Sequence, residues 1–87
     1  MQSPDIKSVE ILKEYSLILT FTNGEIKIFN MKPYLKYPIF KPLNNENEFK
    51  MFSIIDGTIE WNCGAELSID TFYLGSKKFN KEELKEM

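Results

Sequence analysis

The sequence predicts one small α+β domain: an antiparallel sheet of about five strands, a three-stranded meander plus a second hairpin, with short helices packed on one side. Three observations predict it. Two runs of alternating apolar residues are each folded back by a turn dipeptide, Asn23-Gly24 in the first and Asp56-Gly57 in the second. Between them Pro33, Pro38 and Pro42 cut the chain into pieces too short for a helix of more than about one or two turns. With 87 residues and 43% apolar content, the chain can close one core but not two.

The elements follow in order. Ile6 to Leu12 reads as a strand with Val9 and Ile11 on a common side, and Lys13-Glu14 turns the chain into Tyr15. Leu17 to Phe21 and Ile26 to Phe29 flank Asn23-Gly24, a dipeptide suited to a two-residue type I′ turn because both central positions need φ > 0. That turn sets Thr22 opposite Glu25, Phe21 opposite Ile26, Thr20 opposite Lys27 and Leu19 opposite Ile28. Leu17, Leu19, Phe21, Ile26 and Ile28 then share the core face, and Thr20, Thr22, Glu25 and Lys27 face water.

After the proline-cut connection, Asn45 and Glu48 have capping-box spacing, which places a short helix from Glu46 to about Lys50. The second hairpin pairs Ile55 with Thr58 across Asp56-Gly57. Phe52, Ile54, Ile59 and Trp61 fall on one side, and Ser53, Thr58 and Glu60 on the other. Asn62 to Glu66 reads as a loop. Ser68 caps a last short helix, with Leu67 and Phe72 as its hydrophobic staple and Gly75 as its end. Residues 1–75 make the domain and 76–87 a charged tail, either a frayed helix begun at Asn80 or disordered.

Composition excludes several kinds of chemistry. All 11 basic residues are lysine, so the planar fork that grips phosphates and guanine edges is missing, and with no histidine so is the usual proton shuttle. Cys63 is the only cysteine, which rules out an intramolecular disulfide and the multi-cysteine zinc spacings. The four glycines are used by turns, a loop and a helix end, which leaves no phosphate loop. No segment has the charge and apolar pattern of a signal peptide or the ~20 apolar residues of a membrane span. The expectation is a cytoplasmic protein with no cofactor, no membrane contact and no enzymatic activity.

Gly57-Thr58-Ile59-Glu60-Trp61, Gly64-Ala65-Glu66-Leu67 and Asp70-Thr71-Phe72-Tyr73 together resemble the small prokaryotic domain-of-unknown-function family 2442. Val9 to Leu12, Leu17 to Phe21, Asn23-Gly24-Glu25 and Phe29 to Leu35 match that family's layout upstream, so the resemblance spans about residues 6 to 75. Asn62 and Cys63 stand where the family more often has proline and asparagine, and Glu66 where it often has aspartate. The resemblance implies a small α+β fold, no established enzymatic activity and no functional residues. It also implies fusion to helix-turn-helix domains in some members, and neighbouring genes in suspected toxin–antitoxin pairs.

Asp56, Glu60, Glu66 and Asp70 are the carboxylates that acid/base or cation chemistry would use, but a turn, a polar sheet face and a helix first turn account for three of them. Glu66 alone is left without a structural role. Cys63 lacks the histidine or arginine that would lower a thiol's pKa. No residue is therefore assigned a catalytic, cofactor-binding or metal role. The candidate surface is instead Tyr34, Tyr37, Ile39 and Phe40, apolar side chains in a segment whose prolines prevent regular burial, together with Asn62, Cys63 and Glu66. A protein partner or self-association is expected there. Nucleic acid is a secondary expectation, because Lys32, Lys36 and Lys41 are spread along the proline-cut connection and Lys77, Lys78, Lys81 and Lys85 share the tail with Glu82, Glu83 and Glu86.

Overall fold

Val9 and Ile11 alternate with Ser8 and Glu10, so an extended chain turns one apolar side inward, and a register irregularity at Lys7 brings Ile6 to that same side. In the computed structural model, which describes residues 3–79, this segment is β1 (Ile6–Leu12), paired antiparallel with β2 (Ser16–Phe21). β2 pairs in turn with β3 (Ile26–Asn30), completing the meander. A short helix, α1 (Glu46–Lys50), precedes a hairpin of β4 (Phe52–Ile55) and β5 (Thr58–Trp61), and α2 (Ile69–Gly75) follows. The chain then returns to the meander as β6 (Lys77–Lys78) beside β3. The sheets are thus β1-β2-β3-β6 and, separately, β4-β5.

The tail expected from residue 76 is therefore partly structural. Lys78 pairs with Lys27, Lys77 with Ile28, and the Phe79 amide donates to the Ile26 carbonyl at 3.0 Å. Phe79 is buried. The helix-or-disorder expectation for Asn80 onward lies outside the described residues.

The first hairpin departs from its expected register. Leu17 pairs with Phe29, Leu19 with Lys27 and Thr20 with Ile26, one residue off the type I′ alignment. The Phe21 carbonyl accepts from the Gly24 amide at 3.0 Å and the Phe21 amide donates to the Glu25 carbonyl at 2.9 Å. Gly24 has φ +91, whereas Asn23 does not have a positive φ. This is a three-residue loop closed by a glycine bulge, in which one residue rather than two needs φ > 0. Asn23 Oδ1 accepts from the Glu25 amide at 3.0 Å and supports the tighter bend. Burial explains the choice. The shift puts Phe29 on the face of Leu17, Leu19 and Phe21, all nearly inaccessible to water, and moves Ile26 and Ile28 to the opposite face with Ile18.

The β1–β2 connection is one residue longer than expected, running from Lys13 to Tyr15 instead of Lys13-Glu14. Glu14 (φ 60, ψ 34) and Tyr15 (φ 62) are both left-handed, a conformation costing about 1–3 kcal/mol per non-glycine residue. Tyr15 is held there from several sides. Its hydroxyl donates to the Asn44 carbonyl at 2.6 Å, its carbonyl accepts from the Met31 amide at 2.9 Å, and its ring packs edge-on against Phe49 at 4.8 Å.

The second hairpin keeps its expected register, Ile55 against Thr58 and Phe52 against Trp61, with Asp56 (φ 51) and Gly57 (φ 80) forming the two-residue turn. Trp61 is buried with its indole N–H donating to the Phe49 carbonyl at 2.8 Å, which satisfies the polar atom such a ring would strand. α1 begins at Asn45, whose side chain accepts from the Asn47 and Glu48 amides. α2 begins at Ser68, which accepts from the Thr71 amide at 3.2 Å. Gly75 plays a different part from a left-handed helix end: a Cβ there would stand 3.0 Å from Phe29 Cε1, so its small size lets α2 sit against β3. The core is closed by Trp61, Phe21, Phe29, Phe72, Leu17, Leu19, Met31, Leu43 and Ile59.

Candidate interaction surface

Proline-rich connections favour short 3₁₀ turns, and two of them, Lys32–Tyr34 and Pro38–Asn44, shape the segment singled out from sequence. They sort its side chains. Leu35, Phe40 and Leu43 point into the core, whereas Tyr37 is 48% and Ile39 58% exposed. Phe40, expected on the surface, is therefore a core residue, because the turn beginning at Pro38 rotates it beneath Tyr34, the two rings meeting edge-on at 6.2 Å. Tyr34 is half-buried and stacks on Phe29 at 5.5 Å, with Tyr37 tilted against it at 6.4 Å. These rings wall a cleft of about 380 Å³ that also includes Lys36 and Gly75.

Asn62 to Glu66 is a tight turn built like the first hairpin's. The Gly64 amide donates to the Trp61 carbonyl at 2.9 Å, the Trp61 amide donates to the Ala65 carbonyl at 2.9 Å, and Gly64 has φ +93. Asn62 and Cys63 are exposed at its tip, Ala65 is buried, and Glu66 is exposed opposite Glu60 in an antiparallel bridge. Glu66 thus has a structural setting that the sequence left unassigned. No hydrogen bond or ring contact among the described residues joins this turn to the Tyr34–Phe40 segment, so the candidate residues form two regions rather than one site.

Two further constellations arise only in the folded chain. Lys13, Lys32 and Lys50 come from three separate segments to rim an open cleft of about 610 Å³ floored by Ile11, Tyr15 and Phe49, with Glu14 and Glu46 among the lysines. At the end of β3, the Tyr73 hydroxyl donates to Glu25 Oε1 at 2.6 Å and Asn23 Nδ2 donates to the same oxygen at 2.7 Å. Lys27 Nζ donates to the Tyr73 carbonyl at 3.0 Å and stands 4.1 Å over its ring. The register shift creates this cluster by turning Glu25 and Lys27 toward the core side instead of the solvent side expected of them.

The Tyr73 hydrogen bond, helped by that of Asn23, holds the Glu25 carboxyl below its ordinary 4.5, while the same bond to Glu25 pushes the Tyr73 phenol above its ordinary 10.0. Near neutral pH the carboxyl stays ionised and the phenol protonated. The pair ties α2 to the meander and is not poised to exchange protons. Among the described residues no three His, Cys, Asp or Glu side chains group closely enough to hold a metal ion, and no helix is long and apolar enough to cross a membrane.

Nothing among curated proteins and nothing among solved structures matches the chain. A family model does, that of the "Protein of unknown function (DUF2442)", over residues 6–78. The match extends through β6, in keeping with the pairing of Lys77–Lys78 beside β3. On the strength of a match over nearly its whole length, the chain belongs to the DUF2442 family.

Proposed function

We propose that this protein is a non-catalytic interaction module of the cytoplasm that works through protein contacts, as one member of a toxin–antitoxin-like pair. The observation that carries the reading is the exposure of Tyr37 and Ile39 on a connection whose neighbouring side chains are locked into the core. Apolar side chains already held in place lose little conformational entropy when a partner covers them, which is what makes aromatic anchors effective in interfaces. The absence of histidine and arginine, and the fixed ionisation of the Glu25–Tyr73 pair, support a role without catalysis.

Affinity purification of the tagged protein from its host, beside a Tyr37→Ser, Ile39→Ser double variant, tests this. A partner should co-purify with the parent chain and be retained at least ~10-fold less by the variant, as loss of interface anchors worth above ~1.4 kcal/mol requires. A strictly monomeric protein with no stable partner would refute the reading.

A second reading, a regulatory module associated with nucleic acid directly or through its partner, is favoured by the three lysines that meet at the aromatic-floored cleft. A mobility shift with the protein's own promoter region should then weaken steeply as salt rises. No shift at low salt removes this alternative.

A further inference from the structure

The strand edges of this protein are not alike. β1 carries exposed Lys7 and Glu10 and a register irregularity between Ile6 and Ser8, and β6 is two lysines long. Charge, irregularity and brevity are the devices that keep an edge from pairing with another chain. β4, Phe52-Ser53-Ile54-Ile55, carries neither a charge nor a register irregularity and is twice the length of β6, and Ile54 and Ile55 are 39% and 45% exposed. Ile55 pairs with Thr58 across a two-residue turn, Ser53 with Glu60, and the Met51 carbonyl accepts from the Asn62 amide. By antiparallel alternation the N–H and C=O of Phe52 and Ile54 point away from β5, and no other backbone bond among the described residues uses them.

We propose that β4 pairs antiparallel with β4 of a second copy of this chain, Phe52 of each copy opposite Ile54 of the other. The inference rests on the reading that the protein works through protein contacts and names one such partner. The register follows from the free groups. With Ser53 on the two-fold axis, all four N–H and C=O groups of each strand's Phe52 and Ile54 find partners. A slip of two residues in either direction leaves only one such residue pair within the strands. The same register brings exposed Met51 beside exposed Ile55 of the second copy on both sides of the axis. Backbone groups and apolar surface are therefore self-complementary, as an isologous interface requires. The product is a continuous four-stranded sheet in place of a two-stranded one, a unit that is marginal alone.

Cysteine trapping and sedimentation of the full chain test the inference. In a Cys63→Ser background, Ser53→Cys places two thiols across the axis at a non-hydrogen-bonded pair, where Cα atoms lie about 4.5 Å apart and a disulfide can close. Mild oxidation should link this variant at least ~10-fold faster than Ser8→Cys on the guarded β1 edge, if pairing supplies the effective concentration. Ile55→Lys, which adds a charge to an exposed position, should shift the wild-type dimer to monomer in sedimentation equilibrium with an unchanged circular dichroism spectrum. Equal cross-linking rates, or a wild-type chain still monomeric at about 100 μM, overturn the proposal, since an affinity weaker than that leaves no stable dimer. Capture of another protein through Tyr37 and Ile39 by such a monomer would leave the proposed function standing and remove only the β4 pairing.

Discussion

Replacing Gly57 with alanine tests how the second hairpin is fastened to the meander. Gly57 has φ +80, and a Cβ built on it meets Asp5, with the Oδ1 at 2.5 Å and the Cβ at 2.7 Å. Asp5 has little room to retreat, because its carbonyl accepts from the Thr22 amide at 2.9 Å and the next amide, of Ile6, donates to the Gly57 carbonyl at 2.7 Å. Gly24 supplies the control: its φ is +91, but nothing lies within 4 Å of an added Cβ. Gly24→Ala should therefore cost only the left-handed backbone penalty, about 1–2 kcal/mol. Gly57→Ala should cost that plus about 1–3 kcal/mol of overpacking, or roughly 2–5 kcal/mol together. Against the ~5–15 kcal/mol that holds a domain folded, this is a large loss. Urea titration followed by Trp61 fluorescence would measure both variants, with the shift in midpoint read at constant slope. Asp5→Gly should return Gly57→Ala to the cost of Gly24→Ala. Equal losses for the two alanine variants, or no recovery with Asp5→Gly, would refute the idea that contact between the hairpin tip and Asp5 locks the two sheets.

Trp61→Phe should destabilise the fold by about 2–4 kcal/mol, because it opens space between Phe49 and Phe72 and leaves the buried Phe49 carbonyl without its donor. Thermal unfolding should show a fall of roughly 4–8 °C per kcal/mol lost for a chain of this size. The Glu25–Tyr73 bond should make stability depend on pH at both extremes. Because the Glu25 pKa is lowered on folding, its contribution is present above 4.5 and fades as acid titrates the folded carboxyl. Because the Tyr73 pKa is raised, the contribution is present below 10.0 and fades as alkali titrates the folded phenol. Comparing Tyr73→Phe with the parent across pH should give a steady difference in between and convergence at low pH. A difference that persists at pH 2 would refute this assignment.

Much of the architecture is written locally. Asp56-Gly57 specifies a turn that only left-handed residues make cheaply, and the hairpin around it has the register the dipeptide implies. Asn45 and Ser68 cap the helices that their side chains mark, since a cap is a bond between a residue and an amide two or three positions away. The candidate surface was half legible. Tyr37 and Ile39 are exposed as their proline-broken surroundings suggest, but Phe40, in the same run, is buried because a 3₁₀ turn rotates it against Tyr34.

Distance along the chain separates what the sequence determined from what the tertiary structure decided. The α+β class, the meander, the second hairpin and both helix starts depend on neighbours a few residues apart, so composition and spacing were enough. Asn23-Gly24 was compatible with two loops, and the choice went to the one that buries Phe29 against Phe72 and Tyr34, contacts no local rule contains. That choice turned Glu25 and Lys27 toward Tyr73, 48 and 46 residues away in the chain, and only a closed core brings such partners together. The pairing of Lys77–Lys78 beside β3 has the same origin: their charge reads as tail, and only the neighbouring strand supplies the backbone bonds that make them sheet.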